Sequence, residues 1–168
     1  MNYDQIQPFT QDGYYRVDVS IRDFADSIRR YEKAYGLILN PDFQRGHVWT
    51  LDQQSSFVEY ILRGGITQEI RLNHPGWMNT FKGDFVCVDG LQRITALLGF
   101  LENKVPAFGC LYQDFEGIMP TCSVGIRINS LQTRKEVLQW YVDLNTGGTV
   151  HSDSEINRVK DLIEKEAV

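Results

Sequence analysis

The stretch Val86-Cys87-Val88-Asp89-Gly90-Leu91-Gln92-Arg93-Ile94-Thr95-Ala96-Leu97-Leu98 leaves the chain few ways to fold. Its short apolar, β-branched start reads as a buried strand. Gly90 ends that run, and apolar residues at helical spacing predict a helix over Leu91 to Leu101. A strand that turns directly into a helix leaves the first helical N–H groups without backbone partners. Those groups and the helix dipole favour an anion. Arg93, in the first turn, carries a planar, permanently charged fork suited to phosphate. Asp89, at the strand end, can hold a metal ion, orient a water or fix Arg93. One reading is a phosphate site with an acid beside it. The other is an Asp89–Arg93 pair that only caps the helix. The residues alone leave both open.

Around this stretch, strands and helices alternate irregularly. Tyr14 to Val19 predicts a short strand. Ser20-x-x-Asp23 is a weak capping box, followed by Ile21, Phe24, Ala25 and Ile28 on one helical stripe that Gly36 ends. Asn40 to Trp49 holds Pro41 and Gly46 and reads as a loop. It also carries Phe43, Val48 and Trp49. An arrangement that suits it packs the aromatics inward, with Trp49 as core rather than as a base-stacking platform, and leaves Gln44 and Arg45 at a site. Thr50-x-x-Gln53 is a clean capping box that opens a helix to about Leu62. Strands are expected over Glu69 to Leu72, Phe85 to Val88 and Cys122 to Ile128, with Val105 to Leu111 as an edge strand because of Pro106. Thr133 with Glu136 caps a broadly apolar helix. It ends at Asn145-Thr146-Gly147-Gly148-Thr149, where Asn and Gly suit a left-handed helix end. Ser152-x-x-Glu155 opens a last helix. The expected fold class is α+β, a mixed sheet with flanking helices. One domain is expected over 1–168, with 1–13 an N-terminal arm and 14–168 the folded core.

The formal net charge is −5. Broad, sequence-blind DNA binding needs many Lys and Arg against phosphates, so a local site for a nucleotide fits better. No apolar run approaches the ~20 residues of a membrane span. The polar, acidic start lacks the pattern of a signal peptide, and a cytoplasmic location is the default expectation. Cys87, Cys110 and Cys122 lie in apolar surroundings without close pairing and read as buried free thiols. No zinc-ligand spacing occurs, and His47, His74 and His151 lie far apart.

Three motifs resemble those of a known family. Pro41-Asp42-Phe43-Gln44-Arg45 followed by Trp49 resembles a P-x-[YF]-Q-R…W box. Val88-Asp89-Gly90-Leu91-Gln92-Arg93-Ile94-Thr95 resembles a V-D-G-Q-Q-R-[LI]-T box. Leu144-Asn145-Thr146-Gly147-Gly148-Thr149, with Ser152 and Glu155 after it, resembles a φ-N-x-x-G box. In this order they are similar to the N-terminal domain of GmrSD-type restriction endonucleases, within the larger ParB/sulfiredoxin-like group. The resemblance covers roughly residues 14 to 165.

The resemblance implies a ParB/sulfiredoxin-like mixed sheet with a nucleotide pocket around the D-G-x-Q-R box. Asp89, Gly90, Gln92 and Arg93 would line the phosphate site, Gln44 and Arg45 would join it from the first box, and Asn145, Thr146 and Gly148 would close it. The implied ligands are a nucleoside triphosphate (ATP, GTP or CTP) and Mg²⁺. Asp89 would serve as metal ligand, and Asp89 with Arg93 as the catalytic pair. Leu91 departs from the family's first Gln and removes a polar group from the loop. It also stands where a sulfiredoxin has its catalytic Cys, which argues against that activity. The chain is too short to hold the separate H-N-H-type nuclease region as well. A free-standing domain such as phages encode, a truncated piece and one subunit of a split system all fit. The expected function is nucleotide binding, with triphosphate hydrolysis as a further step, and DNA reached through a partner or a missing nuclease domain. The alternatives are a nuclease acting on phosphodiesters and a non-catalytic regulator that binds a restriction-system protein.

Overall fold

Alternation along the strands sends one set of side chains to each face of a sheet, and that alternation sorts this molecule into two apolar layers. The computed structural model describes residues 2, 5, 6, 9–13, 15–146 and 153–166, with the backbone alone for 153–155. In chain order the elements are β1 (Tyr15–Ser20), α1 (Ile21–Tyr35), α2 (Leu51–Leu62), β2 (Ile70–Asn73), β3 (Val86–Asp89), α3 (Leu91–Leu101), β4 (Ser123–Asn129), α4 (Arg134–Thr146) and α5 (Asp153–Lys165). The sheet order is β1-β4-β2-β3. β4 runs antiparallel to β1 and parallel to β2, and β2 is antiparallel to β3. Five helices and a four-stranded mixed sheet among the described residues match the expected class.

The main core lies on one face. Val19, Ile126, Ile128, Ile70, Leu72 and Cys87 from the strands meet Phe24 and Ile28 of α1, Val58 and Ile61 of α2, and Ile94, Leu97 and Phe100 of α3. A second apolar cluster joins Val88 of β3 to Phe43, to Leu138, Trp140 and Tyr141 of α4, and to Val159 of α5. The cap signals at Thr50 and Thr133 behave as the sequence predicts, whereas Ser20 Oγ accepts from Arg22 N–H without forming the expected box with Asp23. Thr50 Oγ1 accepts from Gln53 N–H while Gln53 Oε1 accepts from Thr50 N–H, at 3.2 and 2.9 Å. Thr133 and Glu136 make the equivalent exchange at α4.

Two expectations change. Val105 to Leu111 forms no strand. Ala107 and Cys110 exchange both backbone hydrogen bonds around a tight turn, and Phe108 and Gly109 take positive φ of 50° and 75°. A run that reverses on itself cannot extend a sheet, and Pro106 has no N–H to offer one. Cys110 sits on that turn and is exposed, Cys122 is half-buried, and only Cys87 is fully buried. The helix α4 ends at Thr146, within the stretch expected to end it. No described helix is long and apolar enough to cross a membrane.

The face opposite the main core carries charge. Register pairs Arg16 with Arg127, Arg127 with Arg71, and Arg71 with Asp89, a row across all four strands. Carboxylates interleave with it. Glu69 contacts Arg16 at 2.6 Å and Arg127 at 2.7 Å, and the Arg127 hydrogen bond holds the Glu69 carboxyl below its ordinary range. Residues 11–13 cross this face: Asp12 contacts Arg71 at 3.1 Å, and the carbonyls of Gln11 and Gly13 accept from Asn129 and Arg127.

His74, just after β2, is fully buried among Trp77, Phe81 and Phe85. Its Nδ1 accepts from Gly76 N–H at 3.1 Å, and burial holds the imidazole below its ordinary value of 6.5. The unfolded chain therefore takes up a proton before the folded one does. The stabilisation is complete above about pH 6.5 and is lost as pH falls toward the folded value. Unfolding midpoints should fall between about pH 7 and 5, above the range where carboxylates titrate. His74→Asn, whatever its own cost, should flatten that slope. An equal slope in both proteins would show that another group sets it.

Candidate functional site

Gly90 makes the strand-to-helix turn at φ 112° and ψ 6°, a conformation that side-chain-bearing residues rarely adopt. A Cβ there would stand 2.9 Å from Ile70 Cγ1 and 3.2 Å from Ile70 Cα, so β2 presses on the turn. Ile94 N–H bonds the Gly90 carbonyl at 2.9 Å and closes the first turn. No side chain caps the helix start. Gly90, Leu91, Gln92 and Arg93 line a cavity of about 400 Å³.

A register shift places the acid. Between Arg71 and Leu72 of β2, β3 advances from Asp89 to Cys87. The extra residue is a bulge, which re-aims the side chain beyond it. Asp89 thereby faces Arg71 while Cys87 stays in the main core. Asp89 Oδ2 accepts from Arg93 Nη2 at 2.6 Å and lies 3.7 Å from Arg71 Nη1. Arg93 is only 9% exposed, and its Nη1 donates to the Gln68 carbonyl at 3.0 Å. The pair that the sequence leaves between two readings is thus formed, and both partners also line the cavity.

Two glutamines hold the walls together. Gln44 Nε2 donates to the carbonyls of Cys87 and Val88 at 3.1 and 2.8 Å, continuing the cover that Ile38 begins on the free edge of β3. Gln92 Oε1 accepts from Val48 and Trp49 N–H at 3.0 and 3.1 Å, and its Nε2 donates to the Gly46 carbonyl at 2.8 Å. The first motif fastens the strand of the second, and the second fastens the loop of the first. Both glutamines line the cavity, with their amides engaged by backbone.

Arg45 is exposed and lines the same cavity. Asn145 lines it from the end of α4, where its Nδ2 donates to the Tyr141 carbonyl at 2.7 Å. Thr146 is exposed, bonds the Asp143 carbonyl, and is not among the lining residues. Gly148 lies outside the described residues, as do Gly147, Thr149, Ser152 and His151. His47 is exposed on the loop. Leu91 is 7% exposed and packs in the main core, so the apolar departure adds burial to the first turn. No group of three His, Cys, Asp or Glu able to hold a metal occurs among the described residues.

Sequence reasoning missed Arg71, Gln68, Phe57 and Tyr141. Arg71 was legible as the polar member of an alternating strand, but its partner depends on sheet register. Trp49, expected as core, is half-buried and lines the cavity with Phe57.

The family model described as GmrSD restriction endonuclease, N-terminal domain, matches residues 21–120. The chain belongs to that family. The matched span contains the first two motifs, and the third lies beyond it. Among curated proteins and among solved structures, nothing matches the chain.

Three variants test this construction. Gly90→Ala should cost about 2–4 kcal/mol in chemical denaturation. Gly36→Ala, at φ 70° with open space around it, should cost about 1–2 kcal/mol. Equal losses would remove the argument from Ile70. Gln92→Met should cost about 1–3 kcal/mol and speed amide exchange at Val48 and Trp49. Unchanged exchange there would show that the loop holds itself.

Proposed function

We propose that this GmrSD N-terminal domain binds a nucleoside triphosphate (ATP, GTP or CTP) with its phosphates at the start of α3, as the nucleotide-responsive part of a DNA-restriction system. The family supports the DNA-related role. The nucleotide reading rests on one observation: a helix start that no side chain caps opens onto a cavity that also holds Arg93 and Asp89. Helix N–H groups and the dipole stabilise an anion. Arg93, fixed by Asp89 and the Gln68 carbonyl, reaches it with the donors that remain of its five. Arg45 adds charge at the mouth. Gln44 and Gln92 act by holding these groups in place, and Asn145 at the end of α4 completes the lining.

Mg²⁺ fits Asp89 in a specific way. Both arginine contacts fall on Oδ2, which leaves Oδ1 as the oxygen that would hold the ion. Such sites use one or two carboxylates with substrate phosphates and waters, so a single carboxylate suffices. When bound, such an ion would neutralise charge at the phosphate oxygens. For hydrolysis, Asp89 orients the attacking water. Its oxygen bonds to the γ-phosphorus as the bond to the bridging oxygen breaks and the water's proton passes to a phosphate oxygen, giving the diphosphate and inorganic phosphate, while Arg93 balances the charge on the transferring group. DNA is reached through a partner protein or a further domain of the restriction system, in keeping with a net charge of −5.

Calorimetric titration with ATP, GTP and CTP in the presence of Mg²⁺ is the test. At least one should bind saturably. Arg45→Ala should weaken that binding about tenfold or more. No measurable affinity for any of the three overturns the proposal.

A further inference from the structure

The cavity has an aromatic wall that phosphate binding leaves unused. We infer that this wall, Trp49 with Phe57, is the platform on which the base of a bound nucleotide stacks. The inference rests on the proposal that the phosphates lie at the start of α3.

Trp49 packs against the main core, as its sequence suggests, yet keeps part of its surface open. Trp77 and Trp140 are 7% and 0% exposed, whereas Trp49 is half-buried and faces the cavity. Its position is built rather than loose. Trp49 N–H donates to Gln92 Oε1 at 3.1 Å, one residue ahead of Arg93, and the Trp49 carbonyl accepts from Gln54 Nε2 at 3.3 Å. Both bonds tie the residue to helices, α3 on one side and α2 on the other. Phe57 of α2 braces the indole at 5.4 Å between centroids, with the ring planes at 58°. The two rings therefore do not stack on each other.

The cavity offers two chemistries as a result. Its lining combines Arg93, Asp89 and the start of α3 with two aromatic rings. A nucleoside triphosphate has the matching combination, anionic at one end and planar and π-rich at the other. Every base offers a π face, so stacking is tolerant of base identity. The two rings carry one polar atom between them, the indole N–H, and so they read shape more than base edge. ATP, GTP and CTP should therefore bind within about tenfold of one another.

Titrations with nucleoside triphosphate and with inorganic tripolyphosphate, each with Mg²⁺, separate the two ends of the site. The nucleotide should bind wild type about ten- to a hundredfold more tightly than tripolyphosphate. Trp49→Ala should erase most of that difference and leave tripolyphosphate binding within about twofold. Trp49→Phe, which keeps a ring, should restore most of the lost affinity. Nucleotide should also quench tryptophan emission in wild type, and that quench should vanish in Trp49→Phe, because the other two indoles are in the core. Equal binding of nucleotide and tripolyphosphate to wild type would overturn the stacking inference and leave the phosphate site standing. A quench that survives in Trp49→Phe would also overturn it. If neither ligand binds, the phosphate reading itself fails and this inference falls with it.

Discussion

Residues 40–50 form a loop with no regular structure of its own, pressed between a strand edge and the first turn of a helix. Its backbone polar groups need partners there, since a buried unpaired N–H or C=O costs about 1–3 kcal/mol. The molecule meets that need with an exchange. Gln92 takes up the loop's Gly46, Val48 and Trp49, and Gln44 returns two bonds to Cys87 and Val88 of β3. Neither wall of the cavity is placed without the other. Arg45 and Trp49 hang from the loop, while Asp89, Gly90 and Arg93 belong to the strand and helix. The glutamine exchange therefore sets the distance between the two groups.

A second constraint acts from the far face of the sheet. Three arginines in register would repel one another if unpaired. Glu69 bridges Arg16 and Arg127, Asp12 engages Arg71, and Asp89 stands at the end of the row against Arg71 and Arg93. Positive charge on this face is thus largely neutralised by neighbouring carboxylates. A surface so balanced is a poor match for a run of nucleic-acid phosphates, whose binding depends on uncompensated cations. The bulge at Val88 is what joins the face to the cavity, because an unshifted strand would turn Asp89 toward the core with Cys87.

Local signals were legible in the sequence. The strand-glycine-helix turn, the capping boxes at Thr50 and Thr133 and the alternation of β4 all follow from residues within one turn or one strand of each other. The Asp89–Arg93 pair, four residues apart, was equally local. What escaped depends on distant partners. Gln44 and Gln92 were read as ligand-facing because a polar residue in a motif looks the same whether it meets a phosphate or a carbonyl more than forty residues away. Arg71 acquired its role from a register shift that no single strand announces. Val105 to Leu111 has strand composition, but Phe108 adopts a left-handed turn conformation that its residue type disfavours. Cys110 is exposed through that same turn. Trp49 has the composition of core and the placement of a cavity wall, a distinction set by Gln92 and Phe57.

These constraints converge on one place, the uncapped start of α3, where the account puts an anion. The backbone amide protons of Gly90, Leu91, Gln92 and Arg93 report on that place directly. In a nitrogen-15 labelled sample titrated with Mg²⁺ and nucleoside triphosphate, these amides should move downfield, saturably, and more than those of α1 or of the Phe108 turn. Movement confined to other parts of the molecule, with these four amides unchanged at saturating nucleotide, would contradict the account.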